Sequence, residues 1–251
     1  EKSQLRGRAA RQGAVMGILG VSWAFAFLQL LTEVQLGAFE RGLRALASSL
    51  DAEISEGRAA EALRGSGDIG WISTRSGVKP SLTTELRGMA VIFKPSDWEV
   101  DGALEITEHP ALSSFMQAVF PAAAFPLVHS REHNFGFLHR LDIPSSGLIL
   151  AGTRFEGYYH LRLQLDTQRL RREYQVVCHG QVGSELCQVV ARVDVLPEPS
   201  QRRSISDTGK PSSTLLSVCA HLGRGPSDED SCSILAIRIF TGRRHQIRAH
   251  T

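Results

Sequence analysis

His139-Arg140-Leu141-Asp142-Ile143-Pro144-Ser145-Ser146-Gly147-Leu148-Ile149-Leu150 sets one carboxylate between a charged dipeptide and a Pro-Ser-Ser-Gly turn, then runs directly into apolar residues. A turn that feeds an apolar run reads as a loop entering a strand. A carboxylate at that junction is placed to act on a ligand. It is poorly placed to stabilise a core, because burying a charge is costly unless the charge is paired. Nucleophile, general base and metal ligand are the chemical roles open to Asp142. The structural alternative is a carboxylate that caps the turn. Within 139–150 only His139 would join Asp142 on a metal, so the metal reading is the weaker one.

Working outward, the chain from residue 88 on is a series of short strands. Apolar runs predict strands at 89–93, 147–150, 174–178, 189–195, 214–219 and 233–240, and Tyr158, Leu161 and Leu165 share one face of a predicted helix over 155–168. Many strands with few helices predict an α+β fold around a mostly antiparallel, mixed sheet with flanking helices. Residues 1–87 read as a helical N-terminal extension and linker, and 88–251 as the main domain. In the extension, Leu36, Phe39, Leu43, Leu46, Leu50 and Ile54 recur at spacings of three and four and predict a packing helix over 33–64. A Gly/Ser/Thr-rich loop follows over 65–82. Residues 12–32 carry no charge and follow Lys2, Arg6, Arg8 and Arg11. That pattern has two readings: a targeting or membrane segment, or a buried helix of the extension.

With 251 residues, 42% hydrophobic and 22% charged, the composition is that of an ordinary globular protein. The formal net charge of +2 gives no global basic field, and residues 88–251 hold 17 basic and 17 acidic side chains. Arg supplies 24 of the 28 basic residues, and its planar fork suits phosphate and base contacts. Arg154, Arg162, Arg169, Arg171 and Arg172 cluster around the predicted helix, and Arg202 and Arg203 sit in a polar loop, as a phosphate-contacting set or a solvated face. Cys178, Cys187, Cys219 and Cys232 show no metal or disulfide spacing, which fits a reducing compartment, cytosol or organelle. Cys178 and Cys219 end apolar runs and read as small core residues. His160, His179 and His221 read as surface or loop residues.

Four further segments accompany the Asp142 stretch in order: Lys94-Pro95-Ser96-Asp97-Trp98, Arg172-Glu173-Tyr174, Gly209-Lys210-Pro211, and Thr241-Gly242-Arg243-Arg244-His245-Gln246-Ile247-Arg248-Ala249-His250. Each alone is weak evidence. Together and in this order they resemble the RluA-type pseudouridine synthases, over roughly residues 88–251. The resemblance implies isomerisation of uridine to pseudouridine within ribosomal or transfer RNA, by a protein that needs no cofactor and no metal and acts as a monomer. It implies that Asp142 is the essential catalytic residue. Tyr174 packs on the uracil and takes part in proton removal, and Arg248 pairs with the aspartate. Arg140 fills the space of the flipped base. His139, Lys94, Lys210, Arg243, His245 and Gln246 fall in the same motifs and are expected to contact substrate or RNA.

The chain departs from the family pattern at several points. Ser145 stands for the usual Thr, Arg172 for the usual Lys, and Asp97 for the usual Gly. The family pattern continues past His-Gln-Ile-Arg with a further strand and a Leu-His-Ala stretch, so the domain is expected to be incomplete at Thr251. A non-catalytic RNA-binding protein with the same fold, and a tethered module led by residues 12–64, are the competing readings.

Overall fold

A computed structural model describes residues 2–56, 77–100, 109–195, 203–223 and 231–251. Most of the loop read at 65–82, and Arg202, lie outside the described residues. The chain divides into two compact units, Glu1–Arg169 and Leu170–Thr251. This division falls elsewhere than the 87/88 boundary read from the sequence.

The first unit opens with α1 (Lys2–Phe27) and α2 (Glu33–Glu56). α2 begins with a reciprocal cap: Gln35 N–H donates to the Thr32 hydroxyl, and Thr32 N–H donates to Gln35 Oε1. Of its apolar stripe, Leu36, Leu43 and Leu50 are buried with Phe39 and Leu46 beside them, and the Ile54 side chain lies outside the described residues. The uncharged run in α1 buries Val15, Leu19 and Ser22 against this stripe. Residues 12–27 thus form the second part of α1, and residues 28–32 lie beyond the helix. Among the described residues no helix is long and apolar enough to cross a membrane.

The same core continues into α4 (Phe155–Asp166) through Phe155, Tyr158, Tyr159 and Leu163. Leu163 is buried where Leu165 was expected to be, because the helix packs on two sides. α4 supplies no side-chain cap of its own. Asp51 of α2 does so across more than a hundred residues: Phe155 N–H donates to Oδ1 and Glu156 N–H to Oδ2, both at 3.0 Å. A carboxylate there satisfies two otherwise orphaned amides and meets the positive end of the helix dipole. Burial raises the Asp51 pKa, and the two amides pull it back. Asp51→Ala is expected to cost about 1–2 kcal/mol. Amide exchange at the first turn of α4 reads this directly, and unchanged protection there would refute the cap.

β1 (Ser81–Leu86), β2 (Met89–Lys94) and β3 (Gly147–Gly152) form an antiparallel sheet in the order β1-β2-β3. α3 (Leu112–Val119) covers one face, where Ala90, Ile92, Trp98, Met116, Ile149 and Ala151 are buried. β2 and β3 run in register from Met89↔Gly152 to Lys94↔Gly147. That register puts the end of β2 beside the turn that precedes β3.

The second unit is an antiparallel sheet of β4 (Arg172–His179), β5 (Gln188–Val195), β6 (Arg203–Ile205), β7 (Lys210–Leu222) and β8 (Cys232–Ile239), ordered β4-β8-β7-β5-β6. α5 (Gln246–His250) packs against β5, β6 and β7. The α+β class is therefore observed, with two antiparallel sheets, one in each unit, where one mixed sheet was expected. Cys219 corrects another expectation: it is exposed because it is the extra residue at a bulge between Val218 and Ala220. Cys178 is half-buried at the inner face.

Candidate active site

In the first unit the turn that carries Asp142 is held from below. Ser145 N–H donates to the Asp142 backbone carbonyl at 3.0 Å, closing a four-residue turn. Asp97 N–H donates to Ile143 O at 2.8 Å. Asp97 itself adopts φ +66°, a left-handed conformation in which the family's Gly is free and Asp is among the better-tolerated replacements. The principal fastening is Lys94. Its Nζ donates to Pro95 O at 3.0 Å, Ile143 O at 3.2 Å and Ser145 O at 2.6 Å.

Lys94 is 0% exposed, so its expected role in touching RNA is corrected: it uses its three donors on the backbone of the turn. Burial pushes its pKa down to about 8, against the opposing pull of Asp142 and Asp97. Asp142 is half-buried in the reach of that charge.

His139 accepts the Leu150 N–H at Nε2 over 3.3 Å, which places its ring proton on Nδ1 and ties the loop to β3. Arg140 is exposed. Lys94, His139, Arg140 and Asp142 are thus brought together around one strand-edge turn.

In the second unit Tyr174 is half-buried on β4, opposite Ile237, and packs at the edge of the Leu216, Leu235, Ile237 and Ile239 cluster. Arg172 lies on the same face, two residues away, with Nη2 donating to Phe240 O at 3.0 Å. Burial lowers its pKa, and Tyr174 opposes the shift.

Gln246 is the hub of the closing segment. Oε1 accepts from the Thr241 hydroxyl at 2.7 Å and from Arg243 N–H at 3.1 Å. Nε2 donates to Ser213 O at 3.1 Å and to the Thr214 hydroxyl at 2.9 Å. At 2% exposure it too is corrected from an expected RNA contact to an internal strut. His250 bonds Thr214 at 2.9 Å and Ser212 at 3.3 Å, and burial lowers its pKa.

His245 enters α5 with φ +57°, and Arg248 stands exposed on the helix that this network fixes. Lys210 and Arg243 are exposed, and Arg243 Nε donates to Pro211 O at 3.2 Å. Gln246→Leu leaves several buried polar groups unanswered and is expected to cost roughly 2–4 kcal/mol. Urea unfolding measures the loss, and an unshifted midpoint would show that the network is dispensable.

The family model described as RNA pseudouridylate synthase matches residues 91–251, well over half of the chain. The chain belongs to the RNA pseudouridylate synthase family. Its curated relatives include an RNA pseudouridine synthase described as uncharacterized from Helicobacter pylori, 28% identical over 64% of this chain and 53% of that one. The ribosomal large subunit pseudouridine synthase D of Buchnera aphidicola is 29% identical over 64% of this chain and 49% of that protein. Ribosomal large subunit pseudouridine synthase C of Vibrio parahaemolyticus is 26% identical over 65% of this chain and 46% of that protein. The chain spans about half the length of these pseudouridine synthase relatives.

Several residues that matter in this member of the family were not singled out from the sequence. Asp51 and the buried His133–Tyr159 pair lie outside every motif, and Asp51 lies off the apolar stripe of its helix, so no local signal marks them. The arginine cluster is largely spoken for. Arg162 pairs with Asp166, Arg169 pairs with Glu33, and Arg154 lies over the Phe125 ring at 5.1 Å. Among the described residues no group of three or more His, Cys, Asp or Glu is arranged to hold a metal ion.

Proposed function

We propose that this chain isomerises uridine to pseudouridine in RNA, with Asp142 as the catalytic residue and ribosomal RNA as the substrate. The observation that carries the reading is the half-exposed Asp142 carboxylate on a turn pinned by Lys94, Asp97 and Ser145. A carboxylate presented on a rigid turn pays little reorganisation when it acts. The target base leaves the stack to reach it. The bond from ribose to uracil nitrogen breaks, the uracil turns over, and a carbon of the ring bonds to the ribose in its place. The hydrogen on that carbon leaves as a proton and the freed ring nitrogen takes one up, so the product is an isomer of the substrate.

Tyr174 is assigned to packing on the uracil and to that proton removal. Arg248 is assigned to pairing with Asp142, because a neighbouring cation holds a carboxylate ionised and oriented. Arg140 is assigned to the gap left by the flipped base, and Lys210, Arg243 and His245 to RNA contact. Ribosomal RNA is favoured over transfer RNA because the Buchnera and Vibrio relatives are ribosomal large subunit pseudouridine synthases.

The test is tritium release from transcripts labelled at the uracil carbon that forms the new bond. Release from ribosomal transcripts and none from transfer RNA is expected. No release from either overturns the enzymatic reading, and release from transfer RNA alone overturns the choice of substrate.

A further inference from the structure

The approach to Asp142 contains an unusual piece of backbone. Asn134, Phe135 and Gly136 have φ of +47°, +55° and +89°, three left-handed residues in succession. Left-handed backbone at a non-glycine residue costs on the order of 1–3 kcal/mol, and surrounding contacts must over-determine it. Gly136 is obligatory, since a Cβ there would run into the Gly152 carbonyl. Beyond the turn, Phe137 bridges to Ala151, and His139 accepts the Leu150 amide. The chain between this turn and Asp142 is therefore tied to β3 at Phe137 and His139, and a shift of the turn is passed along it toward the carboxylate.

His133 fastens that turn. It is buried, with Nδ1 2.9 Å from the Ser130 hydroxyl and Nε2 3.3 Å from the Tyr159 hydroxyl. Its ring meets Phe155, Tyr158 and Tyr159 edge-on, with centroids 5.1, 5.5 and 6.3 Å away. Two backbone bonds, His133 N–H and Phe135 N–H to Ser130 O, close the turn at 3.2 and 2.9 Å. The helix that presents Tyr159 is the one whose N-terminus Asp51 caps.

We propose that His133 is a positioning residue for Asp142, holding the left-handed turn through Ser130 and Tyr159. The inference rests on the reading of Asp142 as the catalytic carboxylate.

Tyr159→Phe keeps the ring packing and removes only the hydroxyl that meets His133, and Ser130→Ala removes the bond at the other nitrogen. Each is expected to lower kcat for tritium release by roughly tenfold to a hundredfold with KM within about twofold, the signature of a misplaced catalytic group. Hydrogen exchange of peptides covering 134–150 is expected to quicken in both variants, while α1 and α2 keep their protection. Unchanged exchange over 134–150 overturns the proposal whatever the activity. Faster exchange with kcat intact, or a loss carried by KM, overturns it as well. If wild type and Asp142→Asn release tritium equally, the catalytic reading of Asp142 fails, and the exchange result still decides whether His133 holds the turn.

Discussion

Asp142→Asn is expected to lower tritium release by at least about a thousandfold, because losing a group that takes part in bond making leaves only binding to accelerate the reaction. Asn is nearly isosteric with Asp, and the turn is closed by the backbone carbonyl of residue 142, which the substitution leaves in place. The unfolding midpoint is therefore expected to fall by only a few degrees, because the carboxylate's attraction to the buried Lys94 ammonium is lost while the backbone bonds of the turn remain. Activity and stability separate cleanly in this variant. Equal release by wild type and Asp142→Asn would remove Asp142 from the chemistry and leave it as a turn residue.

Lys94→Met is expected to damage both quantities. The side chain is 0% exposed, and its three acceptors, Pro95 O, Ile143 O and Ser145 O, lose their donor together. Buried acceptors without donors cost about 1–3 kcal/mol each, so a loss on the order of 3 kcal/mol or more is expected. Two of them, Ile143 O and Ser145 O, belong to the turn that carries Asp142, and turnover is expected to fall at least about tenfold through loss of orientation.

A pH arm identifies the lysine as the cause. With a folded pKa of about 8 against an ordinary value of 10.5, the unfolded chain binds more protons than the native one between those values. Wild-type stability therefore rises with pH across that window through this group, and is unaffected by it below pH 8. The difference between wild type and Lys94→Met, measured by urea unfolding from pH 7 to pH 11, is expected to grow over the same window. A flat difference would mean that the carbonyls and carboxylates around the ammonium fully offset the cost of burying it.

Most strands could be read from the sequence, and the reason is local. β2, β3, β4, β5, β7 and β8 are runs of β-branched and aliphatic residues bounded by turns, so composition and period suffice. β1 escaped because Ser81–Leu86 is an exposed edge strand rich in polar residues, recognisable only through its pairing with β2. α3 and α5 are short, eight and five residues, and offer too few turns for a helical period to be told from a buried strand. Motif order pointed to the residues around Asp142, Tyr174 and Arg248, but not to the division of labour among them. Lys94 and Gln246 carry side chains suited to RNA, and only distant carbonyls and hydroxyls show that both are consumed internally. The left-handed turn at 134–136 has an Asn and a Gly to hint at it, but Phe135 between them argues the other way.

The contact between Asp51 and the start of α4 bears on what counts as a module in this chain. The likeness to the family begins at residue 91, yet α4 lies within the matched span and owes both its cap and its oily underside to residues 15–51. A piece trimmed to the family's outline would leave bare amides at one helix end and an uncovered aromatic face along its flank. Here the helical hairpin is a foundation that α4 stands on, and evolution or engineering that alters the one must reckon with the other.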